Sequence, residues 1–241
     1  MRPHRCVSAA LPFMGVTMSA DPREPDTQVQ VWDAPIRLFH WAVVFLLLVS
    51  WFSADQGYMR VHLWSGLSLL ALLLFRLVWG FIGSTTARFR DFLHPPHQVL
   101  AYLRSLAGAN KALFAGHNPA GGLMVVGLIA VLLLQAVTGL FANDGLRFHG
   151  PLALLVSEET STRITGLHGT IFNIILMLVW LHVVAVGFYL FVKRDNLIKP
   201  MLTGRKHKKH VPDGWNITLA RPYLAIAILA LAAGLVFWLT V

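Results

Sequence analysis

Residues 165–192, TGLHGTIFNIILMLVWLHVVAVGFYLFV, constrain this chain more than any other stretch. They contain no Asp, Glu, Lys or Arg, and they exceed the about 20 apolar residues a helix needs to cross a bilayer. Two histidines, His168 and His182, lie inside this run, fourteen positions apart. At about 100° per residue both leave nearly the same helix face, about 21 Å apart along the axis. An ionisable residue in a membrane helix is costly and is read by default as functional. From this helix alone two readings stand level: hydrogen bonding to a neighbouring helix or a water cavity, or two stacked sites.

Composition sets the class. Of 241 residues, 56% are hydrophobic and 13% charged, and the mean hydropathy is +0.62. A soluble domain carries roughly twice that charge, so the chain reads as an all-α integral membrane protein. The net charge of +9 gathers beside apolar segments and forms no independent basic domain, which excludes a nucleic-acid partner. Cys6 is the one cysteine. It allows neither an internal disulfide nor a Cys-x-x-Cys-His attachment.

Five apolar segments are expected to be helices: about 35–54, 61–83, 121–141, 165–192 and 223–241. Residues 1–34 read as a disordered cytoplasmic tail, with a weak signal-like start interrupted by Pro12 and with Met18 a plausible true beginning. Residues 35–206 form the membrane domain. Residues 207–241 form a basic linker and a fifth, C-terminal transmembrane helix. Trp32 and Trp41 are expected as interface anchors. Arg88, Arg90, Arg104 and Lys111 lie between the second and third segments, and eight Lys and Arg lie between the fourth and fifth, from Lys193 to Arg221. Cytoplasmic loops collect these residues. The N-terminus is therefore expected inside and the C-terminus outside. The run RKHKKH, 205–210, reads as a juxtamembrane segment touching anionic lipid.

With that topology, depths follow. His62 opens the second helix and His168 the fourth, both on the outer side. His40 and His182 lie about 9 Å from the inner face of a core about 30 Å thick. Four histidines from three helices thus form two level pairs, His62 with His168 and His40 with His182. Two neutral imidazoles facing each other from separate helices are what axial ligation of a haem iron needs, and two stacked pairs make a transmembrane dihaem wire. A proton relay would more often include buried carboxylates, which these helices lack. Zinc would need four ligands together. Gly66 and Gly169 leave room for a porphyrin edge. Arg76, among apolar residues, and Arg37, one turn before His40, are placed to pair with propionates of the inner group; for Arg37, snorkelling to the interface is an equal alternative. His94, His97, His117 and His149 read as solvated loop residues. At least one of His94, His97 and His117 is nevertheless expected within reach of a quinone head group, in a connection that also carries Asp91.

DAPIRLFHW around His40, RLVWGFIGS with ARFRDF, GHNPAGG, H-x13-H and DNLIKPMLTGRK together resemble the bacterial cytochrome b561 family, nearest the cytochrome b subunit of nickel–iron hydrogenases. The resemblance runs from about residue 31 to 206. It implies a four-helix dihaem transmembrane bundle in the bacterial inner membrane, holding two non-covalent b-type haems and exchanging electrons with the quinone pool. Its four ligand positions match His40, His62, His168 and His182. The fifth helix and the longer N-terminal tail depart from the family pattern. The expected function is electron transfer between membrane quinone and a periplasm-side redox partner, either a hydrogenase-like catalytic subunit or a c-type cytochrome. The chain then serves as an electron-transfer subunit and not as an independent enzyme. The alternatives are a stand-alone quinone oxidoreductase acting on superoxide or a ferric chelate, and, from another class, a histidine-lined metal or proton transporter.

Overall fold

A computed structural model describes residues 28–106, 113–145 and 148–240. The expectations for residues 1–27, including Cys6 and Met18, and for Lys111 and Arg147, lie outside the described residues. Helix α1 (Ala34–Asp55) begins where Asp33 caps it, accepting from the Ile36 amide at 2.8 Å, and Pro35 occupies the first turn, where no amide proton is missed. Helix α2 (Met59–Ile82) follows after a tight turn through Gly57, whose φ of +74° suits glycine. The short helices α3 (Phe89–Phe92) and α4 (Pro96–Ser105) lie in the connection to α5 (Pro119–Leu140). Asn118 caps α5, accepting from the Gly121 amide at 2.7 Å. Helix α6 (Glu158–Phe191), the six-residue α7 (Ile198–Thr203) and α8 (Pro222–Trp238) complete the order.

Four of these, α1, α2, α5 and α6, are long and apolar enough to cross a membrane. Most of each surface faces outward, as lipid requires. Helix α2 is the exception and forms the buried centre, with Leu67, Leu70, Leu73, Phe75, Arg76 and Trp79 all buried. Helix α1 packs on α2, α5 packs on α6, and α2 joins the two pairs through α5. A middle layer of Leu73, Ile129, Leu132, Ile171 and Ile175, flanked by Phe39, Val43 and Leu47, closes the bundle at mid-depth.

Helix α8 has 17 residues, about 25 Å at 1.5 Å per residue. It runs antiparallel to α2. Ala225 joins Phe75 and Trp79 at one end, and Val236 joins Leu67 and Leu70 at the other.

Two boundaries differ from the sequence reading. Helix α6 starts at Glu158, seven residues before the apolar run, so His168 lies in its third turn instead of opening it. Ser157 caps this extension, Glu158 and Glu159 suit its positive end, and the buried Asn143 holds it through Ser161 at 2.6 Å and Thr165 at 3.0 Å. A hydropathy window detects none of this. Residues 28–33, expected within a disordered tail, are ordered. Strand β1 (Gln28–Gln30) pairs antiparallel with β2 (Arg205–His207). Val31 and Trp32 are buried behind it, and both their amides donate to the Gly204 carbonyl. Gly204 has φ +81°, and a Cβ there would meet the Trp32 carbonyl at 2.9 Å, so this turn requires glycine.

Candidate haem sites in the helix bundle

The fold brings the four bundle histidines together as two pairs. The His62 and His168 rings, from α2 and α6, have centroids 6.2 Å apart. The His40 and His182 rings, from α1 and α6, are 6.4 Å apart. Both pairs bridge helices that otherwise make little backbone contact, and the middle apolar layer separates them.

The His62–His168 pair faces a cavity of about 380 Å³, lined by residues that include Ser50, Gly66, Gln135, Gly139 and Gly169. A Cβ at Gly66 or Gly169 would meet nothing within 4 Å, so both positions border open space. Gly139 serves differently: a Cβ there would lie 3.1 Å from His168 Cε1, so glycine lets that ring pack against α5. The His62 Nδ1 donates to the Ser50 carbonyl at 2.8 Å, with the Ser50 hydroxyl at 3.1 Å. The His168 Nδ1 lies 3.0 Å from the Thr138 hydroxyl, and its Nε2 lies 3.0 Å from Gln135 Nε2.

The His40–His182 pair has different surroundings. Arg76 is 3% exposed, its Nη1 is buried without a partner, and its guanidinium lies 4.9 Å from the centre of the Phe89 ring. A Cβ at Gly80 would overlap that ring, so RLVWGFIGS and ARFRDF are complementary surfaces. Asp33 acts on Arg76 electrostatically and accepts from Trp79 Nε1 at 3.1 Å. Arg37 is engaged in part on α7: its Nη1 donates to the Leu202 carbonyl, beside Trp41 Nε1 on Met201, while its Nε is buried without a partner.

The loop histidines separate. His97 and His149 are exposed, and His94 is half-buried on the Phe92 carbonyl at 2.8 Å. Asp91 pairs with Arg88 at 2.6 Å. His117 is no solvated loop residue. Its ring sits between Trp32 and Phe92, 4.7 Å from each, and its Nδ1 is buried without a partner. Burial first, then the positive Arg76 and the nearby His182 and His40, push its pKa down to about 3, so it is neutral at pH 7. Trp32 is thereby a buried lid on His117 and not the expected interface anchor.

Sequence reasoning missed Ser50, Gln135, Thr138 and Asp33. Gln135 carried a signal, as a primary amide in an uncharged apolar helix. Ser50 and Thr138 carried little, because membrane hydroxyls commonly bond their own helix backbone.

These features define a multi-pass helical membrane protein whose half-buried imidazoles face one another in two layers. Residues 31–204 match the pattern of the prokaryotic cytochrome b561 family, and the chain belongs to that family. It is 25% identical over 223 residues to a probable Ni/Fe-hydrogenase B-type cytochrome subunit from Rhizobium leguminosarum bv. viciae. That alignment covers 77% of this chain and 91% of the relative. No solved structure matches. Membrane electron transport by a haem b protein is the function this membership carries.

The residues present fit such a group. Two metal–imidazole bonds of about 2 Å, each extended about 1 Å to a ring centre, would set centroids roughly 6 Å apart, close to both pairs. Open glycine faces beside His62 and His168 and the unpartnered Arg76 Nη1 toward the His40–His182 end suit a porphyrin edge and a propionate. Among the described residues, no group of three or more His, Cys, Asp or Glu gathers as a polydentate metal site would require.

Proposed function

We propose that the chain carries electrons between a periplasm-side redox partner and the quinone pool through two b-type haems, one held by His62 and His168 and the other by His40 and His182. The observation that carries this reading is the spacing of the two cross-helix imidazole pairs. Bound haem supplies reversible one-electron chemistry at iron. The chain fixes both imidazoles of each pair at one depth and excludes water with the Leu73–Ile175 layer. It places the buried Arg76 cation where a propionate would neutralise it. Arg37 holds α7 through Nη1 and keeps a buried, unpartnered Nε for a propionate. The N-terminus lies in the cytoplasm, and α8 makes a fifth crossing that leaves the C-terminus in the periplasm. Its course along α2 supports this. The named relative favours a hydrogenase-like catalytic subunit as the periplasmic partner.

Quinone is proposed to exchange electrons on the inner side, where the neutral His117, buried and with a free Nδ1, offers a hydrogen bond to a carbonyl. The test is made in proteoliposomes of the full chain. The dithionite-reduced protein is expected to show a Soret band that reoxidises on adding quinone, and His117→Ala is expected to reoxidise at least tenfold more slowly at unchanged haem content. No Soret band removes the haem reading and leaves a transporter. A wild-type rate in His117→Ala moves the quinone site elsewhere.

A further inference from the structure

We propose that Thr138 is a positioning residue. With the Ser50 carbonyl, it locks the tautomers of the outer imidazole pair and makes the outer site the lower-potential of the two. This rests on the dihaem reading above.

Proton counting on the hydrogen bonds carries the argument. The Thr138 Oγ1 lies 2.9 Å from both the Leu134 and Gln135 carbonyls. A hydroxyl has one proton, and a carbonyl only accepts, so that proton is spent within α5. Toward His168 Nδ1, 3.0 Å away, the hydroxyl can therefore only accept. The proton of neutral His168 is on Nδ1, and the lone pair of its unprotonated Nε2 accepts from the Gln135 amide at 3.0 Å, a bond that a metal would displace. For His62 the same logic is shorter. Its Nδ1 faces the Ser50 carbonyl at 2.8 Å, which again only accepts, so Nε2 is bare. The Ser53 hydroxyl donates to that same carbonyl at 3.1 Å, fixing its direction. Ser50, Ser53 and Thr138 are all buried. Both outer rings thus present an unprotonated Nε2 before any metal arrives, and both are anchored by Nδ1–H to oxygen.

The inner pair has no such anchors. His40 Nδ1 is buried without a partner, and among the described residues His182 has a ring contact with His40 but no side-chain hydrogen bond. A hydrogen bond from the distal ring nitrogen orients an imidazole ligand and raises its basicity. A more basic ligand favours the ferric state and lowers the potential. The Thr138 bond is reinforced because its hydroxyl is itself donating, and chained hydrogen bonds polarise one another. At the inner site, the buried Arg76 cation opposes a further positive charge on iron and raises the potential there. Both asymmetries act in the same direction. Electrons entering at the outer site move downhill to the inner one.

The test uses the purified full chain with its haem. Potentiometric titration with EPR of the ferric signals is run on wild type, Thr138→Val and Thr138→Ser. Wild type is expected to show the outer midpoint below the inner one. Thr138→Val is expected to raise the outer midpoint and leave the inner unchanged, and Thr138→Ser to restore the wild-type value. In haem-free protein, ¹⁵N NMR is expected to find the His168 proton on Nδ1 in wild type and Thr138→Ser, and a mixture of tautomers in Thr138→Val. Loss of the outer haem in Thr138→Val with retention in Thr138→Ser also supports the proposal. An unshifted outer midpoint in Thr138→Val overturns it, as does loss or shift in Thr138→Ser equal to that in Thr138→Val. Fewer than two haems per wild-type chain defeats the dihaem reading itself, a distinguishable outcome.

Discussion

Arg76 shows how a single buried charge organises its surroundings. It lies in a membrane helix at 3% exposure, over the Phe89 ring, with one guanidinium nitrogen unsatisfied. A buried cation left without a full partner is strongly unfavourable, so an anionic group at this position has a clear physical reason. Replacing it with leucine removes positive charge beside the inner site and favours the oxidised state there. Arg76→Leu is expected to lower the inner midpoint by on the order of 60 mV, a tenfold change for one electron, without moving the outer one. A redox titration that shows no shift, or a shift only in the outer haem, would leave Arg76 with a packing role. At this scale the sequence was informative wherever polarity contrasted with an apolar helix, as at His40, His62, Arg76, His168 and His182. It was uninformative where burial is created by another element. His117 reads as a loop residue until Trp32 and Phe92, far apart in sequence, close on it from both sides.

Helices α2 and α6 explain why the sites lie where they do. Fourteen residues separate His168 from His182, four turns of one face, and Ile171 and Ile175 fill the interval against Leu73 of α2. One turn after His62, Gly66 leaves the α2 surface open to the outer cavity. Gly66→Leu projects a side chain into that cavity without meeting protein atoms near its Cβ. It is expected to abolish the outer haem while leaving the inner haem and the helical circular dichroism intact. Retention of both haems would show that this cavity face is not needed. The apolar helices were legible from hydropathy to within about two residues at most ends, because a bilayer enforces length. The start of α6 and the β1–β2 ribbon were not. Their stability comes from caps and from pairing between segments about 175 residues apart, for which no local periodicity exists. The ribbon's partner is the run after α7, and Gly204 of DNLIKPMLTGRK provides the turn that makes the pairing possible.

At the scale of the whole molecule, the bundle is two helix pairs joined through α2 and α5, bridged by two imidazole pairs and packed at mid-depth with aliphatic side chains. The polar environment differs between its two halves: hydroxyl and carbonyl oxygens lie against His62 and His168, and a buried arginine and a neutral His117 lie toward the His40–His182 end. Under the proposed dihaem reading, that asymmetry makes the two sites unequal in potential, and inward electron movement would work with or against the membrane potential by about 2.3 kcal/mol per 100 mV for a full crossing. The central claim is that haem is held in two layers by His62 with His168 and by His40 with His182. Pyridine haemochrome titration and EPR of the four single His→Ala variants test it most directly. Wild type is expected to give two haems per chain. His62→Ala and His168→Ala should each lose the same outer signal, and His40→Ala and His182→Ala the same inner one, each variant retaining one haem. A wild-type ratio of one, or His62 and His182 losing the same signal, would contradict the account.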